Sequence, residues 1–226
     1  MTLASSRTVH LRNHPIIEDT ANQPPLMVWN ELTPDAHDGT VDTPQNSAAF
    51  TPRSGTLVLV CTGWGTDYTN PSATVVDSAG TAYTSLVKRD TKNTCEIWSH
   101  YYATSPGSIH LTITSTGAVH GGVASIRSLI NAAPVQPGAI SANGDAHQNT
   151  ALTLSRNNVV YGISTNWNNS NGFGAILSSS QELAQYGLTD GYDSFGVYTS
   201  RTLGLNSYGY TNTNAGIAVA VEILHR

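Results

Sequence analysis

Phe50-Thr51-Pro52-Arg53-Ser54-Gly55 leads into Leu57-Val58-Leu59-Val60-Cys61, followed by Ala73-Thr74-Val75-Val76-Asp77-Ser78-Ala79-Gly80-Thr81-Ala82-Tyr83. Residues 96–103 and 109–113 complete the stretch. It reads as a strand, a long loop and two hairpins. The hairpin turns are Ser78-Ala79-Gly80 and Ser105-Pro106-Gly107, where Gly supplies a positive φ and Pro pre-sets its own. In the last strand Ile109, Leu111 and Ile113 share one side, and His110, Thr112 and Thr114 the other. A slip of one residue would turn three aliphatic side chains into water, at about 1.5–3 kcal/mol each.

The totals agree with an all-β chain. Of 226 residues only 11% are charged, while 39% are apolar. Apolar residues recurring with period two, separated by Ser, Thr, Asn and Gly, are the pattern of short strands and turns. The net charge is −5 and Lys occurs only at Lys88 and Lys92. That excludes a basic stripe for nucleic acid. No apolar run approaches the 18 or so residues of a spanning helix, so membrane insertion is not expected. Residues 1–7 show no apolar core before a cleavage site, so no secretory signal is expected. Cys61 and Cys95 lie in expected strands. They read as two small buried hydrophobes, with a bond across the sandwich as the alternative.

Around this stretch, residues 1–27 read as an extended N-terminal arm broken by His14-Pro15 and Pro24-Pro25, with Ile16, Ile17 and Leu26 as anchors on a neighbouring subunit. Residues 28–226 form one domain, whose first strand covers residues 27–32. Residues 33–46 read as a loop carrying Asp35, Asp38 and Asp42. Their spacing lacks the alternating ligands and terminal Glu of a calcium loop, so they read as Asx turns and no metal is expected. Gly121-Gly122 opens a strand running to Arg127, where a bulge or a close backbone approach is expected. Residues 128–138 read as a crossover loop and 142–147 as a second loop. Residues 150–155 and 158–164 form two strands around Arg156-Asn157. Residues 166–174 form a long exposed loop, and Tyr208-Gly209-Tyr210 lies in a turn region. In the closing strand Ile217, Val219, Val221 and Ile223 form one face. Ala218 and Ala220 on the other face indicate a central strand packed on both sides, with Glu222 near its exit. With no long helix and no repeat, the expected architecture is a single antiparallel two-sheet β-sandwich, jelly-roll-like, with the arm.

No catalytic constellation emerges. Gly-x-Ser-x-Gly is absent, and Cys61 sits mid-strand in an apolar run. His100 and His110 fall on adjacent strands of an expected hairpin, but no third ligand joins them as zinc would require. Asp190 and Asp193 lie among Tyr186, Tyr192, Phe195 and Tyr198. Aromatic faces beside acids suit stacking on a sugar, and equally suit packing at a sandwich rim. No cofactor is expected. Candidate surface-contact residues are Trp167, Phe173, Tyr186, Tyr192 and Asp193.

The run from Phe50 to Val60, the hairpin Val75-Val76-Asp77-Ser78-Ala79-Gly80-Thr81-Ala82-Tyr83, the strand Trp98-Ser99-His100-Tyr101-Tyr102-Ala103 and the strand Ile109 to Thr114 together resemble a known module. It is the β-sandwich module of minor tail and other virion proteins of tailed bacteriophages, particularly those of actinobacteria. Thr81 stands where that module usually has Asn, and Tyr83 is kept. Residues 219–223 resemble its last strand, and the likeness covers about residues 50–226. The resemblance implies a non-enzymatic virion part, assembled in the host cytoplasm, with other virion proteins as partners and homo-oligomerisation. A minor tail component with host-surface glycan contact is expected first. A capsid decoration protein and a carbohydrate-binding module are the alternatives.

Overall fold

The computed structural model describes residues 27–29, 36–38, 45–65, 72–116, 122–143, 147–155, 158–167, 173–187, 193–211 and 215–226. Among them the chain is all β, with antiparallel pairing throughout. The first half gives β1 (Met27–Trp29), β2 (Ala36–Asp38), β3 (Gln45–Asn46), β4 (Thr56–Gly65), β5 (Ser72–Asp77), β6 (Thr84–Asp90), β7 (Asn93–Tyr102), β8 (Leu111–Thr116) and β9 (Gly122–Ile130). The second half gives β10 (Ile140–Asn143), β11 (Asn149–Leu154), β12 (Val159–Asn166), β13 (Gln181–Gly187), β14 (Ser194–Ser200), β15 (Gly204–Gly209) and β16 (Gly216–Ile223).

The expected two sheets are four. Sheet I is β3-β8-β5, and sheet II is β1-β9-β4-β7-β6 with β2 also on β9. Sheet III is β10-β16-β12-β14-β13, and sheet IV is β11-β15. They stack in that order, because three apolar cores alternate with them. Val58, Val60, Trp64 and Ile126 of sheet II meet Val75, Leu111 and Ile113 of sheet I. Leu57, Leu59, Ile97 and Leu129, from the opposite face of sheet II, meet Tyr161, Ile163, Val197, Ile217 and Val219 of sheet III. Val160, Tyr198 and Ala220, from the far face of sheet III, meet Leu152, Leu154 and Tyr208 of sheet IV. Alternate side chains of one strand therefore enter different cores. Every residue of β4, β12 and β16 is buried, which is how strands read when both faces are covered. Sheets I and II come from the first half of the chain, III and IV from the second.

Several local expectations change with this. Ser78-Ala79-Gly80 is a turn, with φ +88° at Gly80. It leads only to a bridge between Val76 and Ala82 before the chain crosses to sheet II. Ser105-Pro106-Gly107 joins β7 to β8, which lie in different sheets, so it closes no hairpin. His100 and His110 are therefore not cross-strand neighbours. The alternation of Ile109, Leu111 and Ile113 inward holds. Residues 33–46 include β2 and β3 rather than loop alone, and β9 runs on to Ile130. Residues 142–143 belong to β10. Tyr208 and Tyr210 are fully buried, one in β15 and one bridged to Ile176, not in an exposed turn. Cys61 and Cys95 are buried on neighbouring strands of sheet II, not across the sandwich, and are not joined by a disulfide. Burial beside Cys61 pushes the Cys95 thiol well up. The arm anchors Ile16, Ile17 and Leu26 lie outside the described residues.

Close approach between sheets II and III has a marker at Gly63, where an added Cβ would overlap the Phe195 ring. Gly63→Ala is expected to cost about 1–3 kcal/mol through overpacking, read as a lower urea midpoint. In a Phe195→Leu background the same change should cost less. Equal costs in the two backgrounds would contradict direct packing at this point.

Candidate functional site

The residues that carry the module resemblance converge at the junction of sheets I and II. Asp77 ends β5, and its Oδ1 accepts the backbone N–H of Ala79 and of Thr81, each at 2.8 Å. Its Oδ2 accepts the Tyr102 hydroxyl at 2.6 Å. The Tyr83 and Tyr102 hydroxyls are 3.1 Å apart. Because Tyr102 spends its proton on Asp77, Tyr83 donates to Tyr102. His100, two residues before Tyr102 on the same face of β7, packs edge-on to the Tyr102 ring at 4.6 Å and tilted against Tyr83 at 5.5 Å.

The electrostatics fit a closed network. Burial pushes the Asp77 carboxyl up, but the bonds from Tyr102, Thr81 and Ala79 outweigh it, and the net direction is down. Burial and hydrogen bonding raise both phenols, so they remain protonated donors. Burial holds the His100 imidazole below its ordinary range, against the pull of Asp77. Both Asp77 oxygens are engaged, and this arrangement pins the sheet I turn onto sheet II.

The five candidate contact residues separate. Trp167 and Tyr186 are half-buried against the core between sheets II and III. Asp193 is a correction. It is 3% exposed, and its Oδ1 accepts the Asn93 amide at 2.8 Å while Asn93 also donates to Thr165 Oγ1 at 2.8 Å. That bridge ties β7 to β12 and to the start of β14, so Asp193 is spent inside. Phe173, also expected to face outward, stacks on Tyr210 at 4.2 Å between sheets III and IV. Tyr192 lies outside the described residues, as do Asp190, Asp35 and Asp42. Asp38 sits in β2, paired with Gly122.

Sequence reasoning placed Glu222 near a strand exit but missed its work. Buried in β16, its carboxylate accepts the Ala139 and Ser155 N–H and the Asn158 amide at 2.8–2.9 Å. Burial raises that carboxyl, and these donors bring it net below its usual value. Among the described residues no group of three His, Cys, Asp or Glu side chains could hold a metal ion. Among the described residues there is no helix long and apolar enough to cross a membrane.

No protein-family model, no curated protein and no solved structure matches this chain.

The Asp77 carboxyl sits below 3.8 when folded. Its contribution to stability is full above that value and is lost as the pH falls through the folded value. Asp77→Asn is expected to lose about 1.5–3 kcal/mol at about pH 6, since the bonds it weakens end on a charge. The gap in urea midpoint should close as the pH falls below 3.8. A gap unchanged down to about pH 2 would show that the turn and Tyr102 do not depend on the charge.

Proposed function

We propose that this chain is a non-enzymatic structural protein of a tailed-phage virion, a minor tail component near the host-facing end. The resemblance of the Phe50–Thr114 motifs motivates the reading, and one observation carries it further. The stack has two unlike ends.

At one end lie Gly65 of β4, Asn93 of β7, Asn166 of β12, Ser194 of β14 and Gly216 of β16. β12 and β13 both finish at this end, beside Trp167 and Tyr186. At the other end lie Thr56, Ile130 and Met27, in register. Residues 1–26 therefore join the body there. β4 separates the ends by 10 residues, about 33 Å. All four of the large exposed hydrophobics among the described residues sit at the arm end. Val135 (78%) and Ile140 (53%) flank the start of β10, while Leu203 (56%) and Leu205 (73%) flank the turn into β15.

An apolar end beside the arm suits docking on other virion proteins or on further copies of the chain. The opposite end, to which residues 168–172 and 188–192 attach, is then the one turned to the host, where many copies would make weak glycan contacts effective through avidity. The low charge and polar uncharged surface suit a particle that meets varied salt.

Tag labelling of intact particles in the electron microscope tests the reading. Label is expected at the tail end. Label over the head would replace the tail reading with capsid decoration. Particles without label would remove the virion reading altogether.

A further inference from the structure

The edge of sheet II holds a buried acid that the pinning network does not use. Glu96 lies on the sheet I side of β7 and is 3% exposed. Its Oε1 accepts the Ser85 hydroxyl at 2.5 Å, at the bulge where β6 shifts register between Ser85 and Val87. Its Oε2 is buried and accepts no hydrogen bond. Lys88 stands directly across from Glu96 in the β6–β7 register. Its ammonium is paired elsewhere, with Asp90 Oδ2 at 3.0 Å. Asp90 keeps a second donor, the Thr94 hydroxyl at 2.8 Å on its Oδ1. Thr62, across from Glu96 on β4, is engaged by the Trp98 indole N–H at 3.1 Å.

The geometry points to a proton-operated latch on this edge. Lys88 is shared between Asp90 and Glu96, and it crosses to Glu96 when that carboxyl loses its proton. A buried Oε2 without a donor fits a protonated carboxyl, because an ionised one would leave charge unpaired in a covered site. Ionisation supplies an acceptor within the reach of Lys88, and Asp90 is left with Thr94. The partner exchange slackens the tip of the β6–β7 hairpin, at the loop-bearing end of the stack.

The surrounding charges are few. β6 contributes Lys88 and Asp90 to this face, β7 contributes His100, and β5 contributes Asp77. β4 contributes Thr56, Val58, Val60, Thr62 and Trp64 to this face and no titratable group. Burial pushes the Glu96 carboxyl up to about 7, against the Ser85 bond and Lys88, with Asp90 adding to the rise. The folded value therefore lies above the ordinary one of 4.5. The closed arrangement is fully favoured below that ordinary value, and the drive to exchange grows as the pH rises through about 7.

The experiment follows the Glu96 carboxyl carbon and the Lys88 ε-methylene by NMR in the full chain, from about pH 5 to about pH 9. The two signals are expected to move together with a midpoint near 7. In Glu96→Gln the Lys88 signal should stay flat over this range. In Asp90→Asn, where Lys88 has no competing acid, the Glu96 midpoint should fall by about one pH unit or more. A Glu96 midpoint in the ordinary carboxylate range would overturn the latch. So would a Glu96 transition near 7 with Lys88 unmoved, or an unchanged midpoint in Asp90→Asn.

Discussion

The central strands of sheets II and III have no wet face, and the rest of the molecule follows from that. Each of their central strands must be apolar on alternate sides toward two different cores. β16 sends Ile217, Val219, Val221 and Ile223 to one core and Ala220 to the other. Small residues are needed wherever a large ring crosses between layers, as Gly63 does under Phe195. The core between sheets II and III joins the two halves of the chain, so neither half can dry its inner sheet alone. A buried sheet also offers its polar groups no water. Asn93, Thr165 and Asp193 answer one another between sheets II and III. Glu222 gathers donors from the segments around 139 and 155–158, and Asp77 ties sheet I to sheet II. Three of the acids in a chain with only 15 are thereby committed to holding layers together.

Strand character was legible where the period was clean. Ile109, Leu111 and Ile113 point inward as their alternation requires, and β16 is packed on both sides as its small Ala residues indicate. The number of layers was not legible, because period two says which faces alternate and not what covers each face. The unbroken apolar run from Leu57 to Cys61 carried that information. A strand apolar on both faces, in each half of the chain, calls for more than two sheets. Tyr208-Gly209-Tyr210 misled because Gly beside polar residues signals a turn, whereas here it continues β15 and both rings are buried.

The candidate site was legible in its residue types and not in its connections. Asp77, Gly80 and Tyr83 are readable as a turn motif, but Tyr102, the residue that closes the network, lies on another sheet, 25 positions from Asp77. Asp193 sits beside Tyr192 and reads as an exposed acid, and only its partner Asn93, 100 positions away, shows it to be internal. Long-range polar pairs of this kind leave no local spacing to find. The functional reading accordingly rests on the module resemblance and on the opposition of the arm end to the loop end, which is a property of the whole stack.

The most direct test is hydrogen exchange in increasing urea, comparing the amides of β4 with those of β16. If the core between sheets II and III holds the halves as one cooperative unit, both strands should open with the same free energy and the same dependence on urea. If β4 opens at a urea concentration where β16 stays protected, or the reverse, the halves are independent and the shared core does not hold the fold.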